Sequence, residues 1–151
     1  MTRPLTRLFD APAAVLAFGV GGLIQFVGFT ALVLWAPQWG YAYWLACLAQ
    51  YGAIIVSFVG ALQSGYAVRQ TASGRDAWIR YGWSVAPALA GWLSLQTPVW
   101  TALRVQAAAL ILTLGVDRAF AENESTPSWL LTVRSVLTIV GSTCLVVASV
   151  A

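Results

Sequence analysis

The chain has no histidine and no lysine, and only two cysteines among its 151 residues. Without histidine there is no imidazole to ligate haem, a chlorophyll-type pigment, zinc or a di-iron centre. The commonest general base near neutral pH is missing as well. Without lysine there can be no Schiff base to retinal or pyridoxal phosphate. Cys47 and Cys144 lie too far apart in sequence for a metal-binding motif. Neither a cofactor nor a metal is expected from this chain's own ligands.

Charge is the other scarcity. Charged residues make up 9% of the chain, against about 25% in an ordinary soluble domain. From Ala11 to Val68 there is not one. A membrane-spanning helix needs roughly 20 apolar residues, so this stretch is too long for one crossing and suits two. Its middle, Trp35-Ala36-Pro37-Gln38-Trp39-Gly40-Tyr41, is a proline and glycine break wrapped in aromatics. Proline interrupts helices, and Trp and Tyr favour the headgroup level. The stretch is read as a helical hairpin turning at a membrane surface. The net charge of +3 then reports orientation rather than a nucleic-acid partner.

What is present fits an all-α membrane protein, a single transmembrane domain over residues 1–151. The pattern predicts a bundle of five transmembrane helices at about 12–36, 42–68, 76–95, 98–117 and 127–150. Mean hydropathy is +0.78. Pro98 and Pro127 suit the first turns of helices four and five. The first apolar run is too long for a signal peptide, so it is expected to be retained. Arg3 and Arg7 precede helix one, Arg69, Arg75 and Arg80 flank the second connection, and Arg118 follows helix four. The first and third connections hold no arginine. By the positive-inside rule the N-terminus is inside and the C-terminus outside. All five acids (Asp10, Asp76, Asp117, Glu122, Glu124) fall on the same inner side. Trp35, Trp39, Trp44, Trp92 and Trp100 fall at outer ends, and Trp78, Trp83 and Trp129 at inner ends.

Each helix carries small or polar residues at helical spacing: Ala17, Gly21, Gln25 and Gly28; Gln50, Ala53, Ser57, Gly60 and Ser64; Ser84, Ala88 and Gly91; Ala102, Gln106, Ala109 and Thr113; Arg134, Thr138 and Ser142. In lipid, small residues permit close helix contact and polar ones bond across it. Two readings stand. The stripes pack the bundle, or Gln25, Gln50 and Gln106, with Arg104 nearby, line a polar ligand pocket. Pro87 is expected to kink helix three, its freed carbonyl satisfied by Ser84 or a neighbour. Arg104 and Arg134 are the ions within spans. Each leans toward its nearer surface and can snorkel, while Arg134 is also placed to form a structural ion pair with Asp117. Cys47 and Cys144 read as small buried hydrophobes, although similar depth leaves a disulfide open.

Several segments resemble a known family. They are Gly21-Gly22-Leu23-Ile24-Gln25-Phe26, Tyr51 through Ala61, Ser84-Val85-Ala86-Pro87-Ala88-Leu89 with Gly91-Trp92, Asp117, and Trp129 with Arg134 and Leu137-Thr138. Together they resemble the domain of unknown function 3429 family, the transmembrane protein 69-like membrane proteins, over nearly the whole chain. Where family members often read His-Trp-Gly, this chain has Gln63-Ser64-Gly65. The resemblance implies a bacterial inner membrane, or a mitochondrial inner membrane in a eukaryote, and brings no activity with it. The expected function is that of a non-enzymatic accessory, assembly or scaffold subunit, with the bilayer and other membrane subunits as partners. The alternative is a binder or transporter of a lipophilic small molecule through the Gln-lined pocket.

Overall fold

The computed structural model describes residues 11–35, 37–69, 73–121 and 128–151. Arg3, Arg7, Asp10, Gln70-Thr71-Ala72, Glu122, Glu124 and Ser125-Thr126-Pro127 lie outside the described residues. Those described form five helices: α1 (Ala13–Trp35), α2 (Gln38–Arg69), α3 (Gly74–Ser94), α4 (Val99–Ala121) and α5 (Ser128–Ala148). Among them there is no strand. Four helices (α1, α2, α4 and α5) are long and apolar enough to cross a membrane. The first two turns of α3 carry Arg75, Asp76 and Arg80, and it is not one of the four. The chain is a helical membrane protein.

Two boundaries differ from the sequence expectation by a full helical turn, the others by one or two residues. α2 begins at Gln38 rather than 42, so Trp39, Gly40 and Tyr41 are helical. Pro37 acts as a helix start rather than a wide break: its carbonyl accepts from Gly40 N at 2.8 Å, and a proline there loses no intrahelical bond. At 32 residues and 1.5 Å per residue, α2 is roughly 48 Å long, well beyond a bilayer's hydrocarbon thickness of about 30 Å. α4 runs on to Ala121, one turn past Asp117. Asp117 therefore sits inside the helix rather than closing it. At the first position of α3, Gly74 takes φ +61, a left-handed conformation that costs glycine little and a side-chain-bearing residue considerably more.

α2 runs through the centre and packs against α1, α3 and α4, while α5 packs against α1 and α4. The hydrophobic core gathers Phe26 and Val33 of α1, Leu45, Leu48, Val56 and Val59 of α2, Leu103 and Leu110 of α4, and Leu145 of α5. α3 contributes no member to that cluster. It is held to α2 by shape instead. A Cβ on Gly60 would lie 2.8 Å from the Pro87 ring, and one on Gly91 would lie 3.0 Å from the Ala53 carbonyl oxygen. The two backbones approach this closely because both faces are small. The helix continues through Pro87. Ser84 Oγ donates to Tyr81 O at 2.7 Å, so the hydroxyl is engaged one turn earlier and not on the carbonyl that Pro87 leaves free.

α1 is the least embedded helix, burying Phe26, Thr30 and Val33. Tyr51 fastens its middle: the phenol donates to Gly22 O at 3.0 Å, and the ring meets Phe26 edge-on at 4.9 Å. Trp35, Trp39, Trp78, Trp92 and Trp100 are exposed, as headgroup-level side chains would be. Cys47 and Cys144 are both free.

The α2–α3 contact can be tested with one methyl group. Gly60→Ala must push against a proline ring that cannot rotate away, and should cost about 1–3 kcal/mol. Gly21→Ala, with open space around it, should be neutral or slightly stabilising through helix propensity. Thermal melting of both variants in detergent checks this; equal midpoints would mean that the contact is not tight.

Candidate functional site

Polar side chains meet inside the bundle at two places. The first joins α2, α4 and α5 near the ends that carry most of the charge. Arg134 Nε donates to Asp117 Oδ2 at 2.8 Å, and Gln63 Nε2 donates to Asp117 Oδ1 at 2.5 Å. Arg134 Nη2 also reaches Thr113 Oγ1 at 3.5 Å. Both ions are largely withdrawn from the surface, their side chains 9% and 13% exposed. The carboxylate uses both oxygens, one on a cation and one on an amide. Charge is matched and each helix gains a directional tie.

Helical geometry explains the meeting. Side chains lean toward the N-terminus of their own helix. Arg134 therefore leans back along α5 toward the end where it starts, the same end at which α4 finishes. Asp117, one turn inside that finish, lies at matching depth. Gln63 is the participant that the sequence reading misses. The stripe along α2 continues from Gly60 to Ser64 at i+4, whereas the inward-facing member is Gln63 at i+3. A spacing of 3.6 makes either step legitimate. The available signal was an uncharged amide late in a span, at the depth of an acid and a cation on neighbouring helices.

The second polar point is Gln106, fully buried. Its Nε2 donates to Ala49 O and to Ser94 Oγ, both at 3.0 Å, joining α4 to α2 and to the end of α3. Gly52 makes room for it: a Cβ there would overlap Gln106 Oε1. The three glutamines singled out for a pocket part company. Gln25 and Gln50 are exposed on the outside of α1 and α2, and Gln106 alone faces inward. The expectation of a common Gln-lined pocket is corrected accordingly. α1 and α2 are apolar on nearly every side, so pattern alone does not say which side turns inward.

Arg104 is not beside Gln106 either, since two residues along a helix turn the side chain to another face. Its Nε and Nη2 reach Ser149 Oγ and O at 3.3 and 3.2 Å. There it meets the terminal carbonyls of α5, whose partial negative charge favours a cation. On the opposite, charge-rich end Arg80 pairs with Asp76 at 2.9 Å and lies 4.6 Å from the centre of the Phe120 ring.

Between α1, α2, α4 and α5 lies an open crevice of about 440 Å³. That is within the usual range of small-molecule pockets, about 300–1,000 Å³. Phe18, Leu23, Phe58, Leu62 and Leu137 supply much of its wall, and Arg134 and Thr138 are its polar members. The glutamines named above do not line it. Among the described residues no group of His, Cys, Asp or Glu could hold a metal ion.

Comparison with known proteins places these features in a family. A model described as "Protein of unknown function (DUF3429)" matches residues 11–150. Transmembrane protein 69 of Xenopus tropicalis is 32% identical over 144 residues, which cover 90% of this chain and 53% of the frog protein. The chain thus spans about half the length of that curated relative. No solved structure matches it.

The Asp117 centre gives a double-mutant test. Removing Asp117 leaves a buried guanidinium unpaired, so Asp117→Ala should cost about 3–5 kcal/mol. Asp76→Ala removes a half-exposed carboxylate, 56% accessible, and should cost less than about 1 kcal/mol. Arg134→Leu combined with Asp117→Ala should recover most of the loss. Melting midpoints in detergent that were the same for the two acid variants would show that the pair has no structural role.

Proposed function

This chain belongs to the family of proteins of unknown function DUF3429, and on that footing we propose that it is a five-span membrane protein acting without chemistry of its own. Its role is that of an accessory, assembly or scaffold subunit working through helix contacts. The observation that carries this reading is the use made of ionisable groups on α4 and α5. Asp117 and Arg134 hold each other, Arg104 caps α5, and Arg118 is bonded to Ser135. Groups fixed in this way tie helices together, which favours a structural role over acid–base catalysis.

Five spans follow if α3 crosses beside α2. Its 21 residues give about 31 Å, enough for the hydrocarbon core. Its contacts with α2, Pro87 at Gly60 and Gly91 at Ala53, lie against a helix long and apolar enough to span. An odd number of passes puts the termini on opposite sides. The arginine distribution favours an inside N-terminus. The host membrane in this reading is the inner membrane of a bacterium, or of a mitochondrion in a eukaryote, and the partners are lipid and other membrane subunits.

Two measurements test this. Reporter fusions should find the N-terminus inside and the C-terminus outside; a C-terminus on the inner side would imply an even number of spans. Gentle detergent extraction from native membranes should recover a membrane-protein partner in stoichiometric amount. Recovery of the protein alone, at every detergent strength tested, would remove the accessory reading.

A further inference from the structure

The crevice between α1, α2, α4 and α5 contains one group that neither packing nor the ion pair accounts for. Thr138 lines it and is 3% exposed. Its Oγ1 has no hydrogen-bond partner among the described residues. A helical threonine ordinarily bonds back to a carbonyl in the preceding turn, as Thr143 does to Ile139 O at 2.8 Å. A hydroxyl left without a partner in an apolar environment is costly, so the position is suited to a bonding group brought in from outside the chain.

We propose that the crevice is a binding site for a neutral, slender lipophile whose single hydrogen-bonding oxygen, a hydroxyl or a ketone-type carbonyl, meets Thr138. The remaining walls are hydrocarbon and aromatic, which calls for a hydrocarbon body. Charge calls for a neutral one. Arg134, one turn before Thr138 on the same face, already has Asp117 at 2.8 Å, so an anion or a cation would leave an uncompensated charge deep in the bundle. Depth separates the ligand from bulk phospholipid. From Ser128 to Thr138 the axis of α5 advances roughly 15 Å, about half the hydrocarbon thickness. A phospholipid ester stays near the interface and does not meet a hydroxyl at that level. α1 forms one wall, where Gly19 and Gly22 keep the side next to Leu137 and Tyr51 thin. This site goes beyond the accessory role and stands or falls separately from it.

The test uses the full-length protein in phosphatidylcholine–phosphatidylglycerol vesicles and two photoprobes. One is a sixteen-carbon alcohol with a mid-chain diazirine, and the other is the same chain without the hydroxyl. The alcohol should label peptides containing Phe18, Leu23 and Leu137 saturably. The plain alkane should bind there roughly fivefold more weakly, the ratio that a hydrogen bond of about 1 kcal/mol provides. Thr138→Val keeps the volume and should erase the difference between the probes. Leu23→Trp should fill the crevice and abolish saturable labelling. Equal labelling by the two probes in the unmodified protein, a probe difference that survives Thr138→Val, or labelling spread over all outward faces without saturation would each overturn the proposal. Mass spectrometry of the protein from native membranes provides a further arm. A retained neutral lipophile supports the site, and retention of phospholipid alone counts against it.

Discussion

A guanidinium at the depth of Arg134 is tenable only because a carboxylate meets it, and most of the bundle's arrangement follows from that requirement. Asp117 must sit one turn inside the end of α4, facing α5. That fixes the rotation of both helices about their own axes. Gln63 takes the second carboxylate oxygen and so fixes the rotation of α2 as well. Apolar contacts in lipid give little preference for one rotation over another, since hydrocarbon lies on every side. Hydrogen bonds do give one, because each has a direction.

Gln106 does the corresponding work away from this centre. By reaching Ala49 O and Ser94 Oγ it sets the height of α4 against α2 and joins the end of α3 to both. Arg104 then ties α4 to the last turn of α5. α2, α4 and α5 are thus bound at more than one level, and two levels define relative tilt where a single level cannot. α1 shares only part of this framework. The Tyr51 phenol and the Phe26 ring hold its middle, and its flank stands away far enough to leave the crevice.

Much of this architecture was legible in the chain. The charge-free stretch from Ala11 to Val68 required two passes, and Pro98 marked the start of α4 to within one residue. The facing of Asp117 and Arg134 could be read from the tilt of Cβ along two antiparallel helices. Where the reading failed, the cause was rotation. Gln25 and Gln50 looked inward because amides in apolar helices invite burial, yet α1 and α2 offer apolar residues on all sides and either face could be turned in. Gln63 was passed over because the i+3 and i+4 steps from Gly60 are equally helical. Thr138 was placed in a packing stripe, and nothing in the sequence told that its hydroxyl lacks a partner. That depends on how the neighbouring helices pack around it, which no single helix's sequence records.

The way α3 is held has a consequence for how the protein is made. A helix opening with Arg75, Asp76 and Arg80 has less reason than its neighbours to leave the insertion machinery for lipid unaided, since each charge opposes partitioning. Its attractions lie in a narrow seam, Pro87 and Gly91 set against Gly60 and Ala53 of α2, which is synthesised first. If α3 crosses beside α2, its entry is conditional on α2 waiting at the exit, the pair partitioning as one hairpin. In that case a bulky residue in the seam would act before any folded state exists. It would strand α3 at the membrane surface during synthesis and invert every segment that follows.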